Sequence, residues 1–233
     1  RQSINLRIFH CFKTENIEKE TETENRETLL LEKNRKLEET ISGLRAEIEK
    51  LKNDLMHDPL TGLISRQHFE KETEETLSSF DGYNGERRTE GYSSFSFLFC
   101  DIDNFKKIND TFGHEKGNDV LKMVSKIIKE NVRTADMVCR WGGDEIVIGL
   151  FGANEEEAAE IAEKIRFSVE EGAKKEVTGV TLSIGAMSYE KGLDLKVIAE
   201  NADKAMYWAK KEGKNKVIKY SDFLEVKNEN RTK

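Results

Sequence analysis

The chain is poor in residues that break helices: its one proline is Pro59, and between Lys13 and Met56 the one glycine is Gly43. Nothing in that stretch opposes a long uninterrupted helix. Cysteine is scarce and odd in number, and Cys11, Cys100 and Cys139 form no CxxC pair. That pattern excludes a disulfide framework, speaks against zinc, and suits reduced thiols in the cytoplasm. Long apolar runs are missing, so no membrane segment is expected, and the opening "RQSINLRIFHCF" has no secretory character. Positive charge is in deficit: 38 Lys and Arg against 45 Asp and Glu leave a formal −7. A nucleic-acid polymer, whose phosphates need a basic surface, is therefore not the expected partner. Small phosphorylated ligands remain open if a metal ion offsets the acids. Because the first residue is Arg1 and not Met, the chain is expected to be part of a longer protein.

What is abundant in the first part is Glu, Lys and a regular beat of apolar residues. Leu30, Leu37, Leu44 and Leu51 recur every seven residues, with Asn34, Ile41, Ile48 and Leu55 four places after each. This is a heptad with Leu at d and Asn, Ile, Ile and Leu at a, the pattern of a parallel two-stranded coiled coil, and Asn34 at a would fix its register. A solvated single helix has no reason to keep that beat. Residues 1–57 thus read as a helical linker and coiled coil that pairs two copies of the chain, with 1–15 as the tail of an upstream sensor or receiver domain. Pro59 and Gly62 in "HDPLTGL" end the rod.

Beyond Pro59 the pattern changes. Arg66 to Phe80 has helical periodicity and leads into the charged loop "DGYNGERRTEGYSS". "FSFLFCDID" follows, a strand in which Phe95, Phe97 and Phe99 share a face and the acids stand at the carboxyl end. The spacing predicts a helix over Lys116 to Asn131, a hairpin over Met137 to Leu150 turned by Gly142 and Gly143, and an amphipathic helix over Asn154 to Glu171. A strand "GVTLSIGAM", a helix from Leu195 to Lys211 and a strand "KVIKY" complete residues 58–221, with 222–233 as a C-terminal tail. Such interleaving predicts an α/β (α+β sandwich) class, with helices over one twisted sheet.

Asp101 and Asp103 end the Phe-rich strand, and Asp144 and Glu145 sit at the hairpin tip. If the two strands are neighbours, three or four carboxylates crowd one sheet edge, which is costly unless a cation lies between them. A hard divalent ion such as magnesium, held by carboxylates and substrate phosphates, answers that cost. Gly142 and Gly143 would let a ligand approach the backbone beside it. An acid-tipped, solvated hairpin is the alternative for the hairpin alone. Asn104, Phe105 and Lys106 could offer backbone N–H groups and an ammonium to a triphosphate, and Lys210 and Lys214, four apart near a helix end, would point the same way. Each lysine alone could equally be a surface charge.

In order, "DPLTGL", "DIDNFKKINDTFGH", "RTAD", "RWGGDEI", "TLSIGA" and "ADKAMYWAKKEGKN" resemble the GGDEF domains, diguanylate cyclases that make cyclic di-GMP from two GTP. The resemblance spans about Asp58 to Tyr220 and implies a sheet like that of nucleotidyl cyclases and the polymerase palm. Carried over by position, it makes Asp101, the Ile102 carbonyl and Asp144 ligands of two Mg2+ or Mn2+ ions per active site. Glu145 becomes a further ligand or the group that eases deprotonation of the attacking 3′-hydroxyl. Lys106, Lys210 and Lys214 would hold the β and γ phosphates, while Asn109 and Asn118 read the base. Two such half-sites, facing each other in a homodimer, would join the nucleotides. "RTAD" stands where the family has an inhibitory RxxD motif, so Arg133 and Asp136 would bind the product, with Lys164 or Arg166 as a second basic contact; an ordinary ion pair is the bland alternative.

One departure bears on chemistry: the family's GHxxGD is "GHEKGN" here, with Asn118 in place of Asp. An amide offers one acceptor and one donor group where a carboxylate accepts twice from guanine. This predicts relaxed base choice, with some use of ATP, although GTP remains the expected substrate. Ile146 in place of Phe and Lys214 in place of Arg are milder changes. A non-cycling cyclic di-GMP receptor and a dimerising scaffold are the rival readings.

Overall fold

The structure is a computed structural model and describes residue 26 and residues 29–52, 55–81, 94–174 and 179–229. Cys11, the expected upstream tail at 1–15 and most of the charged loop after Phe80 lie outside the described residues.

The chain forms two compact units, Arg1–Asn53 and Asp54–Lys233. In the first, residues 29–52 are one helix, α1. Its solvated faces carry i,i+4 pairs, Lys36 to Glu32 at 3.0 Å and Arg35 to Glu39 at 3.2 Å. The heptad residues Leu30, Leu37, Leu44, Leu51, Ile41 and Ile48 are between 47% and 58% exposed in the single chain.

The second unit runs β1 (Ile64–Ser65), α2 (Arg66–Asp81), β2 (Phe95–Ile102), α3 (Phe105–Phe112), α4 (His114–Asn131), β3 (Met137–Gly142), β4 (Glu145–Phe151), α5 (Glu155–Ala173), β5 (Leu182–Ser188), α6 (Leu195–Lys211), β6 (Lys216–Lys219) and α7 (Tyr220–Glu229). The sheet order is β1-β3-β4-β2-β5-β6. β2 lies in the middle, antiparallel to both β4 and β5. Alternation along β2 divides the core. Leu98, Cys100 and Ile102 pack with Val120, Val124 and Ile128 of α4 and Ala162, Ile165 and Val169 of α5. Phe95, Phe97 and Phe99 face the other way, onto Phe69 of α2 and Ile198, Ala202 and Met206 of α6. The expected sandwich class is the observed one, and burial of the sheet on both faces explains why β2 is buried along its whole length.

Three elements differ from expectation. The helix expected from Lys116 starts at His114 and is preceded by α3, the two separated at Gly113 with φ 84°. The hairpin turns at Gly143–Asp144, not Gly142–Gly143: Gly142 is still paired, opposite Glu145 across a bulge, and Gly143 has φ 51°. Residues from Tyr220 to Glu229 form α7, which docks on α6 through Trp208 and Phe223, ring centroids 5.9 Å apart. α6 itself presses its backbone onto β5, since a Cβ on Gly185 would stand 2.0 Å from the Ala202 carbonyl oxygen. That contact fixes the root of every side chain α6 sends toward the strand ends.

Candidate active site at the carboxyl end of the central strand

β2 delivers Asp101 to the sheet edge opposite Glu145 of β4 and Ser183 of β5. Its side chain is almost wholly buried. The Ile102 N–H donates to the Asp144 carbonyl at 3.4 Å, which keeps the hairpin tip beside the end of β2. Burial pushes the Asp101 carboxyl up to about 6; Lys210 opposes the rise, and Asp144 and Glu145 add to it. Burial raises Glu145 as well, with Asp144 and Asp203 adding to it. From the last turn of α6, Lys210 sets its Nζ 2.6 Å from Asp101 Oδ2.

Asp103, grouped with these acids on sequence grounds, is turned to a structural task. It accepts hydrogen bonds from Thr181 Oγ1 and Ser183 Oγ, each at 2.7 Å, and from the Asn215 N–H at 3.0 Å. The crowd therefore consists of Asp101, Asp144 and Glu145. Asn104 precedes α3 with φ 60° and leaves the helix uncapped by its side chain. Its Oδ1 accepts instead from Lys214 Nζ at 2.6 Å. Lys214 has left α6, with φ 66°, so it does not share a helical face with Lys210 as expected; a tight turn carries it to the same strand end. Lys106, in the first turn of α3, is exposed.

Asn109 and Asn118 sit on α3 and α4, which meet where Gly117 lacks a side chain. A Cβ there would fall 1.9 Å from Asn109 Oδ1 and 3.3 Å from Phe105 Cζ. Asn109 Oδ1 is buried without a hydrogen-bond partner among the described residues. Asn118 is exposed one residue along.

The "RTAD" residues form a turn. The Asp136 carboxylate accepts from the Arg133 N–H at 2.9 Å and the Phe151 N–H at 3.3 Å, while the Arg133 side chain is exposed. Lys164 is exposed on α5. Arg166 is occupied elsewhere, donating to Glu163 at 2.8 Å, Glu170 at 3.0 Å and Asn215 at 2.8 Å.

Sequence reasoning missed three participants. Arg140 Nη1 donates to Asp58 Oδ2 at 3.0 Å, and its Nε and Nη2 donate to the Gly143 carbonyl at 3.1 and 2.9 Å. Although burial opposes it, bonds from Thr61 and then Arg140 hold the Asp58 carboxyl below its usual range. Asp203 is the third, one of the residues with Glu145, Arg66 and Trp141 around a cavity of about 560 Å³ between α2 and α6. Its spacing from Lys210, seven residues on one helix, was the available signal.

The sequence model of the family described as "Diguanylate cyclase, GGDEF domain" matches residues 55–216. The chain belongs to the GGDEF family. Diguanylate cyclase DosC of Escherichia coli (strain K12) is 43% identical over 126 residues, 52% of this chain and 27% of that protein. Diguanylate cyclase A of Treponema denticola is 46% identical over 130 residues, 53% of this chain and 34% of that protein. This GGDEF chain thus spans about a third or less of the length of these relatives. The structure of the coiled coil and GGDEF domain of DgcB from Caulobacter crescentus, in complex with c-di-GMP, matches with TM-score 0.69 and 26% identity, covering 77% of this chain and 93% of that one. GGDEF diguanylate cyclases generally use a divalent metal. The residues here fit one: a buried carboxylate backed by two more, each raising the charge cost of its neighbour, calls for a cation. Among the described residues no three acids, histidines or cysteines close into a ready cage. Magnesium bound by one or two carboxylates, with phosphates and water completing the shell, has that requirement. Among the described residues no helix is long and apolar enough to cross a membrane.

Proposed function

We propose that this GGDEF chain is a diguanylate cyclase, condensing two GTP into cyclic di-GMP with release of two pyrophosphates. The observation that carries the reading is Asp101 buried at the end of β2, with Asp144 and Glu145 raising its charge cost and Lys210 on its Oδ2. Asp101, the Ile102 carbonyl and Asp144 would hold two Mg2+ or Mn2+ ions, with Glu145 as a further ligand. When bound, the ions polarise the α-phosphate and stabilise the displaced oxygen. Lys106, Lys210 and Lys214 take the β and γ phosphates, and the N–H groups of Asn104, Phe105 and Lys106 face them at the start of α3. Gly142 and Gly143 leave the hairpin tip open to the nucleotide. Asn109, with its unpartnered Oδ1, and Asn118 face the base. Glu145 eases removal of the proton from the 3′-hydroxyl of one GTP, whose oxygen attacks the α-phosphate of the other.

Each chain holds half of this reaction, and the heptads of α1 bring two chains together, so that the nucleotides react at high effective concentration. An upstream sensor would act by altering that pairing. Product binds at Arg133 and Asp136, with Lys164 or Arg166 as second contact, and slows synthesis; Arg166 must first leave Glu163, Glu170 and Asn215. The reaction belongs in the cytoplasm, where GTP is found.

Incubation with GTP and Mg2+, followed by mass spectrometry, tests the proposal: cyclic di-GMP forms, less when product is added beforehand. Asp144→Ala lowers the rate by about a hundredfold or more, and unchanged synthesis would refute the metal assignment. Binding of cyclic di-GMP without turnover would favour the receptor reading. Asn118 supports a second feature, base tolerance, because sites built to pair a base edge discriminate by about 10⁴ when the match is complete. A GTP and ATP mixture should give some mixed cyclic dinucleotide; cyclic di-GMP alone removes that idea.

A further inference from the structure

We propose that Lys210 is a removable plug of the metal position: it holds Asp101 until a metal arrives together with a nucleotide, then moves from the carboxylate to the phosphates. The inference rests on the reading of Asp101 as a metal ligand and adds the order in which the site fills.

Four observations carry it. Lys210 Nζ lies 2.6 Å from Asp101 Oδ2, as close as a direct charge-assisted hydrogen bond allows. Asp101 sits on the central strand, and pairing on both sides holds its backbone in place. The base of Lys210 is equally fixed, because α6 meets β5 backbone to backbone at Gly185. Its four-carbon stem is what remains free to swing. Fourth, no three ligand side chains converge among the described residues, so a bare cation would have to displace the ammonium for the sake of few protein ligands.

A nucleotide changes the balance. Its phosphates complete the metal's shell and at the same time offer the ammonium a new anion, so one positive charge leaves Asp101 as another arrives. Glu145 and Asp203, both within the field of Lys210, keep the ammonium near the site during the exchange. Asp203 stands seven residues before Lys210, two turns along the same face of α6. Metal binding without nucleotide is thereby weakened, and the carboxylates stay neutralised between turnovers.

The test is Mn2+ binding to the full chain, read from the paramagnetic resonance of the free ion, with and without a GTP analogue that cannot be cleaved. Lys210→Met, which removes the charge at similar length, should bind Mn2+ about tenfold more tightly than the parent when no nucleotide is present, the size expected of a unit charge removed from a partly solvated site. With the analogue present the gain should vanish or reverse, because the lysine's phosphate contact is also gone. Lys210→Gln, which keeps a hydrogen-bond donor for Asp101, serves the same comparison if the Met variant fails to fold. Folded Lys210 variants that bind Mn2+ no more tightly than the parent without nucleotide overturn the proposal. Asp101→Asn measured alongside separates the two layers: if it leaves Mn2+ binding with the analogue intact, the metal assignment fails and the exchange with it. If it abolishes that binding while Lys210→Met brings no gain, the exchange alone fails.

Discussion

Asp101 is a carboxylate that the fold holds in its less comfortable form. Burial raises it from the ordinary 3.8 to about 6. An acid raised in this way supports the fold fully below its ordinary value and withdraws that support as pH climbs through the raised one. In the metal-free chain, the melting temperature of Asp101→Asn should therefore gain on that of the parent as pH rises from about 4 to about 7. A difference that stays flat, or moves the other way, would mean that Asp101 is not the buried acid described. Metal with nucleotide should erase the trend. Gly117 supports a second prediction at this scale. In Gly117→Ala the new Cβ meets the Asn109 amide, a side chain that can swing aside, so the fold should survive while Asn109 loses its place. Nucleotide affinity by calorimetry should drop about tenfold, the cost of one polar contact to a base, with melting little changed. That Asp101, Asp144, Glu145 and Lys210 gather at one strand end was legible in the sequence because their motifs are short and local. The structural task of Asp103, which sequence grounds only grouped with the acids, was not legible because its partners, Thr181, Ser183 and Asn215, come from distant chain.

At the scale of elements, the hairpin tip depends on a clasp whose two halves are far apart in sequence. Asp58 and the Gly143 carbonyl share one guanidinium, that of Arg140, so the segment before β1 and the turn before β4 are tied at one point. Asp58→Ala removes the anion and leaves a half-buried arginine with one partner fewer. Stability should fall by about 1–3 kcal/mol in urea unfolding, and amide hydrogens of Thr61 and of the hairpin tip should exchange faster together. Faster exchange at Thr61 alone would show that the turn stands without the clasp. Helices and strands with strong periodicity were read correctly: α6 was expected over the residues it occupies, and Phe95, Phe97 and Phe99 do share a face. The short α3 was not foreseen because eight residues give too few turns for a period, and its end depends on one glycine at positive φ. α7 escaped because its sequence is charged and its hold on the domain comes from Phe223 against Trp208 of α6.

For the molecule as a whole, the chain divides into two compact units, and the proposed function gives them different tasks: synthesis to residues 54–233 and pairing of two copies to α1. Ile41→Lys with Ile48→Lys places charges at successive a positions of the heptad seam, two turns apart, and should convert the proposed dimer to a monomer by sedimentation. Cyclic dinucleotide synthesis should fall steeply while binding of one nucleotide per chain persists; synthesis that survives in a monomer would rule out control by pairing. The helix over 29–52 was legible because seven-residue spacing is written along the chain. One consequence reaches beyond the molecule. The leucines and isoleucines of α1 are half in water in the single chain, and the proposed pairing would cover them. If synthesis needs the pair, as proposed, output below the pairing constant would climb with the square of copy number, and gene expression would become a dial on the messenger before any stimulus is sensed.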